Sequence, residues 1–106
     1  MYSDNNTGKR VYKSKMPNYK FGPNEEKSKT SIDKALQAFT SFNYLNAYTH
    51  FLSALNNLSS EKDNAEMISF IHSELASIEE LRGQYKCAQA SYELAIKLLI
   101  NPNDTF

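Results

Sequence analysis

Few side chains in this sequence are spaced to do chemistry together. Histidine occurs twice, at His50 and His72, and neither has a second titratable residue at a step that would build a ligand set or an acid–base pair. Both are expected to be ordinary helix-face or groove histidines. Cys87 follows Lys86, and a neighbouring cation can activate a thiol. Its place inside an apolar helical pattern instead predicts a small buried side chain. Glu79 and Glu80 are adjacent, but neighbouring helical residues diverge by about 100° and cannot serve one site. A solvated face is the expectation for that pair. The sequence has no glycine-rich phosphate loop, no Cys-x₂-Cys and no His-Glu-x₂-His. Neither catalytic residues nor a metal, cofactor or small-molecule substrate is expected, and the chain reads as something other than an enzyme.

A different chemistry is available near the start. Lys9-Arg10, Tyr12-Lys13, Lys15 and Tyr19-Lys20-Phe21 interleave cations with aromatic rings. Such a string can neutralise phosphates and stack on bases, so nucleic acid is one partner for residues 9–21. It can equally lie along an acidic protein surface, or serve as a solubilising tail or import signal. Docking on protein is the preferred reading. Tyr12, Tyr19 and Phe21 would then be anchors, and Lys9, Arg10 and Lys13 would steer the encounter.

The elements that must position these groups fall into two unlike segments. The formal net charge of zero over 106 residues conceals a division. Residues 1–30 carry seven Lys/Arg against three acids, while residues 31–106 carry five against nine. The first segment also holds Met16-Pro17, Phe21-Gly22 and Gly22-Pro23, and its apolar residues follow no period. Residues 1–29 are therefore expected to form a basic, aromatic arm, extended or disordered alone. The remainder, 30–106, reads as one all-α domain of four helices. Thr30 and Asp33 predict the first helix start, with Ile32, Ala35, Leu36, Phe39 and Phe42 along one face. The second runs from Tyr44 to Leu58. The third is capped by Ser60 and Asp63 and bears Met67, Ile68, Ile71, Leu75, Ile78 and Leu81, with Gly83 as its left-handed terminator. The fourth runs from Gln84 or Tyr85 to Ile100, before Pro102.

The second and fourth helices repeat one pattern. Tyr44, Ala47, Phe51, Ala54 and Leu55 recur as Tyr85, Ala88, Tyr92, Ala95 and Ile96, at an offset of 41. Alanines seven apart share a helix face and admit a close neighbour, and the aromatic between them fills the next layer. Two- or three-residue turns force each pair of helices into an antiparallel hairpin. Residues 69–102 resemble a tetratricopeptide (TPR) repeat in Gly83-Gln84-Tyr85, Ala88, Tyr92, Ala95 and Pro102, with Leu75 and Ala76 in its first half. Residues 28–58 resemble a second copy through Ala47, Phe51 and Ala54. The offset exceeds the family's 34 by seven residues, two helical turns, which a longer third helix would absorb in phase. This resemblance implies two antiparallel hairpins and a protein-binding role. The family's chaperone-tail clamp uses Lys and Asn where Ile32, Leu36, Ser73 and Ser77 stand here, so the resemblance does not extend to that activity.

Two hairpins are few for a stacked repeat. The fourth helix carries Leu94, Ile96, Leu98, Leu99 and Ile100, more apolar positions than one face holds. The expectation is a non-catalytic adaptor or small subunit that docks through Leu98, Leu99 and Ile100, on a protein partner or a second copy. The alternatives are an adaptor resembling MIT helical hairpins of membrane trafficking, or a ribonucleoprotein subunit held by its arm. With a single cysteine, no apolar run near the ~18 residues of a membrane span and no secretory apolar core, an intracellular location is expected, cytoplasmic or nuclear.

Overall fold

A computed structural model describes residues 16–59 and 63–100. Among these, the chain forms a 3₁₀ turn at Pro23–Glu25 and four α-helices: α1 (Glu26–Thr40), α2 (Tyr44–Asn56), α3 (Ala65–Leu81) and α4 (Tyr85–Ile100). No strand occurs among the described residues. α1 packs on α2 and α3 on α4 as hairpins, and the two hairpins meet along α2 and α3. The all-α architecture of two antiparallel hairpins is therefore as the periodicity predicts.

The 41-residue offset is written into the hydrogen bonds. Ser28 Oγ donates to the Ala54 carbonyl at 2.8 Å, and Ser69 Oγ donates to the Ala95 carbonyl at 2.7 Å. Both serines are buried, so each hydroxyl is satisfied across its hairpin rather than by water. The turns repeat as well. The Asn43 N–H reaches the Ala38 carbonyl at 2.8 Å, and the Gln84 N–H reaches the Glu79 carbonyl at 2.8 Å. Such helix-ending turns need a left-handed residue, supplied by Gly83 at φ 78° and by Phe42 at φ 62°. Glycine takes that conformation freely, whereas phenylalanine incurs a cost of about 1–2 kcal/mol. Phe42 was expected on the apolar face of α1; in the turn it stands largely exposed.

Small residues set the close approach. Ala35, Ala47 and Ala54 have no exposed surface, and Ala88 and Ala95 have almost none. Ala35, Ala47 and Ala54 share a core with Ile32, Phe51, Met67, Phe70, Ile71, Leu75 and Ile78. α3 lies between α2 and α4 and is buried on most sides, including Ser77 and Glu79.

Three boundaries differ from expectation, the first being the end of α2, at Asn56 rather than Leu58. α1 starts at Glu26, so residues 23–29 are helical rather than extended, and Thr30 and Asp33 are exposed mid-helix residues instead of caps. The reason is Pro23, which suits a helix start by its fixed φ and missing N–H, together with Ser28, which is buried against α2. α3 begins at Ala65, with Asn64 rather than Ser60 or Asp63 at the cap position. α3 has 17 residues against 15 in α1, so the extra length of the repeat falls mainly in the connection 57–64, not in a longer helix. Ser60 and Pro102 lie outside the described residues.

Candidate docking surface

Of the arm residues singled out from sequence, Lys9, Arg10, Tyr12 and Lys13 lie outside the described residues. Tyr19 and Phe21 are half-buried, with their rings edge to face at 4.9 Å, and both pack against the chain's own core. Expected to anchor a partner, they anchor the segment 16–22 to this domain instead. The cause is Glu25, only 1% exposed. Its carboxylate accepts the Tyr19 hydroxyl at 2.8 and 3.0 Å, the Gly22 N–H at 2.9 Å and the Ser59 N–H at 2.9 Å. One buried carboxylate thus ties the arm, the start of α1 and the α2–α3 connection together. Desolvation, then the hydrogen bond to Glu25, pushes the Tyr19 phenol up to about 12.

Glu25→Ala is expected to release the segment before it unfolds the helices. The freed Gly22 and Ser59 amides can recover water once residues 16–22 lift off, which limits the loss to about 1–3 kcal/mol. Limited trypsin digestion reads this directly: cleavage after Lys20 should quicken in the variant while helix content is kept. Equal cleavage rates would show that Glu25 does not hold the segment down.

The arm and the end of α4 meet at one place. Pro17, Tyr19, Asn64, Met67, Leu98 and Leu99 line an open cavity of about 420 Å³, joining the segment 17–19 to the first turn of α3 and the last turn of α4. Two sets of residues chosen independently from sequence, Tyr19 and Leu98/Leu99, therefore border the same space. Their roles differ from expectation. Leu98 is 1% exposed and belongs to the interior, because it follows Ala88 and Ala95 on the inner face of α4, so it is not a docking residue. Leu99 and Ile100 are 59% and 69% exposed, and Ile96 is 56% exposed. With Tyr85, 69% exposed at the start of the helix, these three make the large apolar surface that α4 offers to solvent.

A second buried acid joins the hairpins. Glu79, expected on a solvated face, is buried and accepts the hydroxyls of Tyr48 at 2.7 Å and Ser91 at 2.8 Å. It thereby links α2, α3 and α4. The sequence signal was its position four residues after Leu75, inside the apolar stripe of α3. Glu80 remains exposed and accepts the Tyr92 hydroxyl at 3.2 Å. Desolvation, then the hydrogen bond to Glu79, pushes the Tyr48 phenol up to about 12. Burial lowers the pKa of His72, against the opposing charge of Glu79. Cys87 is exposed rather than buried, since it precedes Ala88 and points off the packed face of α4.

Among the described residues no three His, Cys, Asp or Glu side chains come together to hold a metal, and no helix is long and apolar enough to cross a membrane. Compared with family models, curated proteins and solved structures, the chain finds no significant match.

Proposed function

We propose that this protein is a non-catalytic adaptor or small subunit, a TPR-like pair of hairpins that docks through the outer face of α4. The observation that carries this reading is the exposure of Ile96, Leu99 and Ile100 close together at the end of α4, where Leu45 and Leu52 on α2 are exposed seven residues apart. Fully covering an exposed aliphatic side chain contributes about 1.5–3 kcal/mol, and each of these three has more than half of that contact still to make. The polar atoms support the same view. Two of the three buried carboxylates, Glu25 and Glu79, are engaged by hydroxyls and amides in ways that brace the fold. Lys9, Arg10 and Lys13 would assist by steering an acidic partner. The site of action is proposed to be intracellular.

The test is light scattering of the purified chain together with binding of a hydrophobic dye. The reading expects dye binding or self-association that is lost in Leu99→Glu/Ile100→Glu. A monomer that binds no dye and tolerates the double substitution without any change would sink it.

A further inference from the structure

Glu74 of α3 has no exposed surface, and its place on the helix makes that burial informative. Glu79 receives hydroxyls from α2 and α4, so it points between those two helices. At about 100° per residue, Phe70 lies opposite Glu79 and Glu74 lies about 140° around the helix from it. No described helix packs on that side, since α3 lies against α2 and α4 but not against α1. Yet Phe70 and Glu74 are both buried. At the repeat offset, the counterpart of Glu74 on α1 is Asp33, which is exposed. The cover is therefore particular to α3.

A carboxylate taken out of water must be met by a cation or by several donors. The side chains that α1 turns to the core, Ile32, Leu36 and Phe39, bring no donor. Every Lys and Arg among the described residues is exposed. Lys62 precedes α3, whose first residue already stands nine residues, about 13 Å, from Glu74. The other cations are Lys9, Arg10, Lys13 and Lys15, with no acid among residues 9–15. Their segment starts from the right place. Pro17 and Tyr19 share a cavity with Asn64 and Met67 at the first turn of α3, and Tyr19 is fastened there by Glu25. From Met67 to Glu74 the helix rises about 10 Å. Lys13 stands four residues before Pro17, about 13 Å along an extended chain, whereas Arg10 at seven residues, about 23 Å, overshoots.

We propose that residues 9–15 lie antiparallel to α3 along this side, over Phe70 and Glu74, with the Lys13 ammonium on the Glu74 carboxylate. The occupant of the surface is thus the chain's own arm. Lys9 and Arg10 lie beyond the pair and keep the steering role, while Lys13 is engaged within the domain. A nucleic acid or an acidic protein can recruit Lys13 only by lifting it off Glu74, so the arm is a ligand that any outside partner must displace.

Chymotrypsin cleavage after Tyr12 in the full chain reads this contact, with a synthetic peptide of residues 7–18 as the undocked reference. The chain is expected to be cut at least about tenfold more slowly than the peptide, because cleavage follows the population of the lifted arm. Lys13→Gln and Glu74→Gln should each bring the rate toward that of a peptide of matching sequence, and the double variant should go no further than either. Arg10→Gln and Glu93→Gln, the latter at an exposed acid on α4, should leave the protection in place. Lys13 lies outside the four helices, so Lys13→Gln tests the contact with circular dichroism unchanged even if Glu74→Gln perturbs the fold. A wild type cut as fast as the peptide overturns the inference, as does protection that survives Lys13→Gln or that is lost in Arg10→Gln instead. Protection that appears only on adding single-stranded RNA also overturns it, and assigns the arm to nucleic acid.

Discussion

Phe51→Ala is expected to destabilise the protein by about 3–5 kcal/mol, the largest effect of any single truncation in the domain. Phe51 has no exposed surface and stands midway along α2, in a core shared with Ile32, Met67, Ile71 and Ile78. The size of the loss follows from its neighbours. Ala47 and Ala54 flank it on its own helix and Ala35 approaches from α1, and none of the three has a side chain long enough to fill the void. Such a cavity cannot collapse, so the cavity cost adds to the lost transfer energy. Against a total of about 5–15 kcal/mol for a domain, the variant should be marginal, with a Tm lower by on the order of 15–30 °C. Leu45→Ala, on the exposed side of the same helix, should stay within about 0.5 kcal/mol. Denaturant titration of both variants decides the matter. A loss below about 1 kcal/mol for Phe51→Ala would mean that the hairpins do not enclose this ring.

That ring was legible in the sequence, and the reason separates what periodicity can show from what it cannot. Ala47, Phe51 and Ala54 recur as Ala88, Tyr92 and Ala95, and a small–aromatic–small face has one physical use: close packing around a filled gap. Gly83 likewise announced a left-handed turn. Phe42, its equivalent, did not, because an aromatic residue there breaks the local preference and is held by the turn hydrogen bonds from Phe42 to Phe39 and from Asn43 to Ala38. The start of α1 was hidden for a related reason. Glu26, Lys27 and Lys29 look like the charged arm that precedes them, and only Ser28 matches Ser69 at the repeat offset. Hydroxyls that bond a carbonyl across a hairpin leave no mark on a hydrophobic pattern. At the end of α4, the run Leu98-Leu99-Ile100 announced excess apolar character but not its sorting. The inner face is set by Ala88 and Ala95, and counting from them places Leu98 inside and Leu99 and Ile100 outside. Glu25 and Glu79, two of the three buried acids, were missed because charge was taken as a sign of solvent. Each lies where several donors converge, and donors on distant elements cannot be counted before the fold is known.

Glu79→Ala should cost about 3 kcal/mol, taking each hydrogen bond to a charged acceptor as about 1.5–3 kcal/mol and allowing the two to overlap. The carboxylate receives Tyr48 from α2 and Ser91 from α4, so its removal strips both hairpins of a shared acceptor at the inter-hairpin contact. Unlike the Glu25 site, this one lies between packed helices, where neither hydroxyl can lift away to find water, so the loss appears in global unfolding. Glu79→Gln should cost less, because the amide oxygen still accepts one hydroxyl. A pH signature distinguishes this role from simple space-filling. The Tyr48 phenol is raised from 10 to about 12 in the folded state, chiefly by desolvation and then by its bond to Glu79. The folded chain therefore holds a proton that the unfolded chain releases. The resulting stabilisation is complete below pH 10 and is lost as pH rises toward about 12. Tyr19 behaves the same way through Glu25. Alkaline titration of tyrosine absorbance should show both phenols ionising late in the wild type. In Glu79→Gln, Tyr48 should move back toward 10 while Tyr19 stays, and in Glu25→Ala the reverse should hold. If Glu79→Gln leaves the late-titrating phenols unchanged and stability unaltered, the carboxylate does not join the hairpins, and their contact rests on apolar packing alone.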